Sequence, residues 1–196
     1  MIGIVNYGAG NIFSITAALK RLDIPYGMIN EPQDFDNYDK IIIPGVGHAG
    51  AAMDKLKDSG LSEQIKDLKK PVLGICVGMQ LMTDFSEEGN SELLGIIPLK
   101  TLHFDTRMNE KVPHMGWNSI SFDQNCPLFK DIAENSYFYF VHSYFIEFDK
   151  TYTIATCNYG LPFSAAFAKD NFWAVQFHPE KSGKAGEQLL SNFSKF

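Results

Sequence analysis

Short apolar runs alternate with stretches of helical periodicity along the first half of the chain. The apolar runs lie at 2–5, 41–43 and 72–76. Between the first two runs, apolar residues recur at the three- and four-residue spacing of one helix face, namely Ile12, Ile15, Leu19 and Leu22. Asn11 stands where a helix N-cap is expected. Further helical stretches are predicted from about 49 to 69 and at 78–82. Buried strands that alternate with helices predict a parallel sheet covered on both faces.

The second half of the chain, from about residue 93, has a different pattern. Apolar and polar positions alternate over 119–122 and 137–148, which is typical of antiparallel strands and hairpins. The run 172–177 predicts one more strand, and the last segment has helical spacing with Ser182 as its expected cap. The pattern therefore predicts an α/β fold with a mostly parallel central sheet flanked by helices and antiparallel strands in the C-terminal half.

Composition narrows the classes of protein that this chain can belong to. The chain has 196 residues, of which 45% are hydrophobic and 20% charged, and this suits a single globular domain over 1–196. Because the net charge is −6, a nucleic-acid partner is not expected. The most apolar stretch, 137–148, contains His142, Ser143 and Glu147, so it predicts no membrane span. The N-terminus has no basic segment, and we expect no signal peptide.

The cysteines give a weak indication of the compartment. They are three in number and far apart, at Cys76, Cys126 and Cys157. An odd, dispersed set disfavours both a disulfide framework and a zinc site, and it favours a reducing cytoplasm. We expect neither a metal nor a cofactor.

The strongest candidate for chemistry is the segment from Gly74 to Gly78, with Cys76 at its centre. It ends an apolar run, begins a helical stretch and has the form of a G-x-nucleophile-x-G elbow, in which glycines permit a sharp turn. The start of a helix favours a thiolate and directs backbone N–H groups towards an anion. The alternative is a buried structural cysteine, and the surrounding glycines favour the nucleophile.

A thiolate nucleophile needs a base, and the base needs a group that orients it. Among the five histidines, His178 is followed by Pro179 and Glu180 directly after a predicted strand. Extended residues two apart point to the same side, and Pro179 biases His178 towards extended backbone. Glu180 is therefore expected to hold one ring nitrogen while the other faces Cys76. A surface His-Pro-Glu turn is the alternative.

A glycine-rich turn, Pro44-Gly-Val-Gly47, follows the strand that we expect beside the Cys76 strand. Sites in open α/β sheets lie at the carboxyl ends of strands. Backbone N–H groups of Val46 or Gly47, together with that of Val77, are candidates for an oxyanion hole. The alternative is a simple tight turn.

The same turn begins a literal G-x-G-x-x-G match over 45–50. The dinucleotide-binding fingerprint also needs an acidic residue at the end of the next strand. Glu63 has about the right spacing but lies in a predicted helical stretch, so nucleotide binding is disfavoured.

Segments 74–80 and 177–180 together resemble the class I, triad-type glutamine amidotransferases. Motifs at 6–11, 44–47, 115–118 and 141–144 extend the resemblance over essentially the whole chain. It implies that Cys76 attacks the side-chain amide carbon of L-glutamine, that His178 protonates the leaving ammonia and that Glu180 orients His178. The implied glutamine pocket comprises Gly47, Gln80, Glu88, Ser143 and Tyr144. Glu87 is a second candidate for the carboxylate of that pocket.

The resemblance also implies a heterodimer with a (β/α)8-barrel cyclase subunit. Ammonia would pass through a shielded path to the cyclase, where it would aminate a ribonucleotide intermediate of histidine synthesis. Positions that match the family's partner interface are Asn11, Trp117, Tyr139 and Lys181. Core packing is the alternative for Trp117.

Three other functions stay open from the sequence. The first is a related subunit whose partner aminates another acceptor, such as a surface-sugar precursor. The second is a free-standing thiol γ-glutamyl hydrolase, and the third is a non-catalytic module that only binds glutamine or the cyclase. Intact Cys76, His178 and Glu180 disfavour the third function.

Overall fold

The computed structural model describes residues 1–104 and 110–196. The first part contains β1 (Ile2–Val5), α1 (Ile12–Arg21), β2 (Tyr26–Ile29), β3 (Lys40–Gly45), α2 (Ala49–Asp58), α3 (Ser62–Asp67), β4 (Val72–Cys76) and α4 (Val77–Gln80). The second part contains β5 (Thr83–Ser86), β6 (Ser91–Glu92), β7 (Ile97–His103), β8 (His114–Ser119), β9 (Ser121–Phe122), β10 (Tyr137–His142), β11 (Tyr144–Ile146), β12 (Thr153–Tyr159), β13 (Leu161–Lys169), β14 (Phe172–Val175) and α5 (Gly183–Phe193).

In the part of the chain that the structure describes, one large sheet contains twelve strands. Its main strand order is β2-β1-β3-β4-β14-β13-β11-β7-β5-β6, and β12 and β9 continue from β13. The strands from β2 to β14 in that order are parallel to their neighbours, whereas β13, β11 and β12 pair antiparallel. Strands β8 and β10 form a separate antiparallel pair, called the small sheet below. The predicted α/β class is confirmed.

The parallel topology decides where chemistry can occur. Strands β1, β3, β4 and β14 run in the same direction, so their carboxyl ends reach one edge of the sheet. The loop after β1, the Pro44–Gly47 turn, Cys76 and the loop after β14 therefore meet at this edge. Strand β4 is buried along its whole length, as expected for a central strand covered by helices.

Several predicted boundaries are wrong for identifiable reasons. The helical stretch from 49 to 69 is two helices, because Gly60 adopts a left-handed φ of 74° between α2 and α3. The run 137–148 is split at Ser143 between two sheets. Ser182 occupies the N-cap position of α5 but makes no capping bond. Its hydroxyl instead donates to the carbonyl oxygen of His178 at 2.6 Å and accepts the N–H of Tyr139 at 3.0 Å.

In the described ranges, none of the helices combines the length and the apolar character that crossing a membrane requires.

Glycines allow the Cys76 turn to pack directly against β3. A Cβ on Gly78 would lie 1.9 Å from the carbonyl oxygen of Ile43, and a Cβ on Gly45 would lie 2.4 Å from the Gly78 nitrogen. No side chain fits at either distance. The close approach of β3 and α4 therefore depends on these residues.

Replacing Gly78 with alanine is expected to lower the free energy of unfolding by about 3 kcal/mol, because the added methyl group must push β3 away. Urea denaturation followed by circular dichroism measures the loss. Gly60→Ala is the matched control: its φ is 74° and a Cβ there meets nothing within 4 Å. It should cost only about 1 kcal/mol. Equal losses in the two variants would contradict the assigned close approach.

Candidate active site

Cys76 is the last residue of β4 and has φ 55° and ψ −111°. A residue with a side chain rarely adopts such a conformation, and it is held here by the packing of the glycine turn. The segment thus has the strand-to-helix elbow that its glycines predicted. Cys76 is only 4% exposed and lies in the wall of a cavity.

His178 and Glu180 form a buried pair in the loop that follows β14. His178 Nδ1 lies 2.8 Å from Glu180 Oε1, and the side chains are only 1% and 3% exposed. The backbone N–H of His178 donates to the carbonyl oxygen of Tyr139 at 2.9 Å, which anchors the loop to β10. Within the described residues, the Cys76 thiolate is the one hydrogen-bonding partner of the other ring nitrogen, Nε2, which is therefore available for proton transfer. The His-Pro-Glu segment is not a surface turn.

The protonation of His178 is decided by competing effects. Burial alone would lower the pKa of His178, but the hydrogen bond and charge of the Cys76 thiolate act in the opposite direction, as does the Glu180 carboxylate. The net result is a His178 pKa well above its ordinary value of 6.5. An imidazolium beside a thiolate is the arrangement that cysteine nucleophiles use.

The turn after β3 is supported by Tyr7, which no sequence argument had singled out. Tyr7 is buried, and its hydroxyl donates to the carbonyl oxygen of Pro44 at 2.8 Å. Burial, followed by the charge of Cys76, raises the pKa of Tyr7, so it keeps the proton that it donates. Gly10 adds a backbone contact, since a Cβ there would lie 3.1 Å from the same oxygen. The loop after β1 thus packs against the candidate oxyanion turn, where Gly47 has a φ of 87°.

A cavity of about 430 Å³ opens beside Cys76. Its lining includes every residue of the predicted glutamine pocket, namely Gly47, Gln80, Glu88, Ser143 and Tyr144. Val46, Val77, His178 and Lys181 also line it, whereas Glu180 lies behind His178. Pro113, Val141 and His142 also line the cavity. The last two lie in the 141–144 motif but had no role assigned from the sequence.

The structure separates the two candidate glutamates. Glu88 lines the cavity, and its Oε2 accepts the backbone N–H of Ala49 at 2.6 Å. Glu87 is absent from the cavity lining, and its Oε2 instead accepts the backbone N–H of His103 at 2.7 Å. Glu88 is therefore the carboxylate available to a ligand in this cavity.

Gln176 is another residue near Cys76 that was not predicted from the sequence. It is fully buried, and its Nε2 lies 3.7 Å from Cys76 Sγ, within the range of a weak N–H···S hydrogen bond. Its Oε1 accepts from Gln80 Nε2 at 3.3 Å, and Gln80 Nε2 also donates to the carbonyl oxygen of Tyr144 at 3.2 Å. A signal was present, because Gln176 is the polar residue of an otherwise apolar run and lies two positions before His178.

Two of the four predicted interface residues lie on the small sheet. Trp117 and Tyr139 are paired across β8 and β10, with ring centroids 6.2 Å apart. Lys181 Nζ lies 5.8 Å from the centre of the Tyr139 ring. Trp117 is 54% exposed, so core packing does not explain it. Asn11 caps α1, as predicted, by accepting the N–H of Ser14 at 3.1 Å.

Three strand ends thus bring together a strained cysteine elbow, a buried His-Glu pair and a glycine turn, an arrangement that defines a thiol-dependent hydrolase. The family model for glutamine amidotransferase class-I matches residues 4–195. The chain belongs to the class I glutamine amidotransferases, which confirms the resemblance seen in its motifs.

Two relatives are similar over nearly their whole length. A protein of Bacteroides fragilis named imidazole glycerol phosphate synthase subunit HisH is 49% identical over 193 residues, covering 98% of this chain and 97% of its own. A protein of the same name from Maridesulfovibrio salexigens is 45% identical over 205 residues, covering 100% and 97%. Among solved structures, a chain of PurLQS from Thermotoga maritima has a TM-score of 0.72 at 16% identity, covering 98% of this chain and 96% of that one. This last likeness shows the fold alone.

Iodoacetamide is expected to alkylate Cys76 before the other two cysteines. Burial raises the pKa of Cys126 and raises that of Cys157 to about 12, so neither forms much thiolate at neutral pH. Peptide mass spectrometry after limited labelling identifies the modified residue, and Cys76→Ser serves as the unreactive control. Faster labelling of Cys126 or Cys157 than of Cys76 would contradict the assignment of the reactive thiol.

Replacing Glu180 with glutamine is expected to shift the alkaline limb of glutamine hydrolysis to lower pH. The Glu180 carboxylate helps to raise the pKa of His178, so its loss lets the imidazolium give up its proton at lower pH. We expect kcat/KM at neutral pH to fall about 100-fold. Glutamate release measured from about pH 5 to about pH 10 gives the profile. Glu87→Gln is the control and should leave the limb in place; an unshifted limb in E180Q would refute the proton-holding role.

Proposed function

We propose that this chain is the glutaminase subunit of an imidazole glycerol phosphate synthase. It hydrolyses L-glutamine to glutamate and ammonia, and it passes the ammonia to a cyclase subunit in histidine biosynthesis. The observation that carries the proposal is the geometry of Cys76 and His178 in the wall of one cavity, with Glu180 bonded to His178, in a chain that resembles HisH subunits from end to end. The whole chain, 1–196, acts as one amidotransferase domain, and its free cysteines suit a cytoplasmic location.

The first half of the reaction forms a thioester. The Cys76 thiolate attacks the side-chain amide carbon of glutamine, and the carbonyl electron pair moves to oxygen. When the tetrahedral intermediate collapses, His178 Nε2 transfers its proton to the leaving amide nitrogen, and ammonia departs. The raised pKa of His178 supports this step, because the ring carries its proton before attack begins.

The second half of the reaction releases glutamate. Neutral His178 takes a proton from a water molecule that attacks the thioester carbon. Collapse of the second intermediate expels the Cys76 thiolate and restores the thiolate–imidazolium pair. In both halves, Glu180 holds Nδ1 of His178, which keeps Nε2 directed at the reacting atoms.

Both halves pass through an oxyanion that needs donors. The backbone N–H of Val77 at the start of α4 is one candidate, and that of Val46 or Gly47 is the other. The left-handed φ of Gly47 and the hydrogen bond from Tyr7 to Pro44 support a defined conformation for this turn.

The cavity also supports recognition of glutamine as an amino acid. The Glu88 carboxylate is the group suited to the substrate ammonium. Gly47, Gln80, Ser143 and Tyr144 complete the proposed pocket around the rest of the substrate.

The proposed partner is a (β/α)8-barrel cyclase subunit, in a heterodimer. The outer side of the small sheet exposes large apolar residues, including Met115 at 62% and Trp117 at 54%. Such a patch is typical of a protein interface. Val141 and Lys181 line the cavity beside this surface, so a partner covering it would also close the site where ammonia forms. Tyr139 and Lys181 belong to the proposed interface, with Asn11 as a further contact from the start of α1.

We expect Cys76→Ala to abolish glutamate release while leaving the complex with the cyclase intact, because the substitution removes only the nucleophile. Glutamate is measured with the chain alone and with the cyclase subunit of an imidazole glycerol phosphate synthase plus its ribonucleotide substrate. Analytical ultracentrifugation measures the complex. Strong stimulation of the wild-type chain by the loaded cyclase, with ammonia incorporated into the product, supports the proposal.

Other outcomes of the same experiment indicate other functions. Fast hydrolysis that no cyclase alters would indicate a free-standing γ-glutamyl hydrolase. Stimulation by a cyclase-like barrel that aminates a different acceptor, such as a surface-sugar precursor, would change the pathway but not the triad. Undiminished glutamate release by Cys76→Ala would refute the proposal.

A further inference from the structure

Two buried histidines that the reaction above does not use face each other across the small sheet. His114 and His142 are a register pair of β8 and β10, and they are 3% and 6% exposed. His114 Nδ1 lies 2.9 Å from His142 Nε2. The His114 ring stacks between Phe140 and Tyr159, with centroid distances of 4.7 Å and 4.0 Å. A buried polar pair of this kind needs its hydrogen bonds satisfied, and its bonds lead towards the glutamine cavity.

The partners of the two rings determine which nitrogen carries each proton. His142 Nδ1 lies 2.8 Å from the carbonyl oxygen of Tyr144, which can only accept, so this nitrogen is the donor. In a neutral ring, His142 Nε2 is then an acceptor and must receive the N–H of His114 Nδ1. His114 Nε2 is in turn an acceptor, and Asn118 Nδ2 lies 3.2 Å from it. Each hydrogen bond therefore has a fixed donor. Asn118 donates to His114, His114 donates to His142, and His142 donates to the Tyr144 carbonyl oxygen.

Both rings are neutral at physiological pH, as this arrangement requires. Burial is the main cause in each case, lowering the pKa of His114 to about 4 and that of His142 to about 3. The nearby positive charge of His178 acts in the same direction on His142, whereas the bond to the Tyr144 carbonyl opposes it.

The hydrogen-bond chain through the two histidines ends at the glutamine cavity. The Tyr144 carbonyl oxygen accepts both from His142 Nδ1 and from Gln80 Nε2, and Gln80 and His142 themselves line the cavity. Ser143, also in the lining, is the residue at which the chain leaves the small sheet and enters β11 of the large sheet. The main chain at 143–144 is thus the junction of two sheets, and the hydrogen bond from His142 fixes its last carbonyl.

We propose that His142 and His114 are positioning residues for the glutamine pocket, and that their directional hydrogen-bond chain fixes the 143–144 main chain and the amide of Gln80. This inference rests on the proposed glutaminase function. Neither ring contacts the reacting atoms in this scheme, so the pair acts on glutamine binding rather than on bond breaking. Loss of this hydrogen-bond chain is therefore expected to raise the KM for glutamine and to leave kcat unchanged.

Two substitutions at His142 separate its two nitrogens. The amide nitrogen of asparagine is as many bonds from Cβ as histidine Nδ1, whereas that of glutamine is one bond further out, like Nε2. His142→Asn therefore retains the donor to the Tyr144 carbonyl, and His142→Gln loses it. We expect His142→Gln to raise the KM for glutamine about tenfold with kcat within about twofold, since one hydrogen bond is lost. His142→Asn keeps that donor but loses the acceptor for His114 Nδ1, so its KM should rise only about threefold to fivefold.

A third variant tests the hydrogen bond from His114 to His142 while keeping an aromatic ring at position 114. His114→Phe keeps a flat ring between Phe140 and Tyr159 but donates nothing to His142 Nε2. We expect it to raise the KM about threefold to fivefold with little change in kcat. If His142→Gln does not fold, this variant still tests the inference.

The assay is glutamate release with the cyclase present, as a function of glutamine concentration. Iodoacetamide labelling of Cys157, which is buried in the wild-type fold, reports any general loosening. Equal KM values for His142→Gln and His142→Asn, a wild-type KM in His114→Phe, or a change confined to kcat would overturn the inference. A wild-type chain that releases no glutamate would instead refute the proposed function.

Discussion

The close approach of β3 to the turn between β4 and α4 is the constraint on which the rest of the site depends. Side chains at Gly45 or Gly78 would collide with backbone atoms across this contact, and one at Gly74 would collide with the Gly78 carbonyl within the turn. Their absence lets the two strands remain neighbours up to Cys76, whose partner in the register is Gly45. This arrangement requires a positive φ at Cys76, which the surrounding packing maintains. The strained residue is only 4% exposed, and it lines the cavity.

A second requirement is that buried polar groups find partners, and around this cavity they find one another. Tyr7 bonds to Pro44, Gln80 to Tyr144 and Gln176, and the loop after β14 is held through Ser182 and the carbonyl of Tyr139. Apart from the local bond between Ser182 and His178, each of these bonds joins segments that are distant in sequence. A buried polar group without a hydrogen bond raises the free energy of the folded state. These bonds therefore favour one arrangement of the site over its alternatives.

The electrostatics of the site follow from the same burial. His178 carries a raised pKa because two acidic partners outweigh the effect of its own desolvation, whereas His114 and His142 have no such partners and stay neutral. At neutral pH, His178 therefore carries a proton on both ring nitrogens, whereas His114 and His142 are neutral. The difference separates a residue suited to proton transfer from a pair suited to fixed hydrogen bonding.

The sequence by itself determined the α/β class, the elbow at Cys76 and the pairing of His178 with Glu180, because these depend on local periodicity, glycine conformation and extended backbone geometry. It also indicated the helix cap at Asn11, which depends on residues three apart. Only the tertiary structure decided that Glu88 rather than Glu87 lines the cavity, that Ser182 anchors the loop after β14 instead of capping α5, and that Tyr7, Gln176 and the His114–His142 pair surround the site. The physical reason is the same in each case. These assignments depend on contacts between residues far apart in the chain, which only the packed sheet brings within hydrogen-bonding distance.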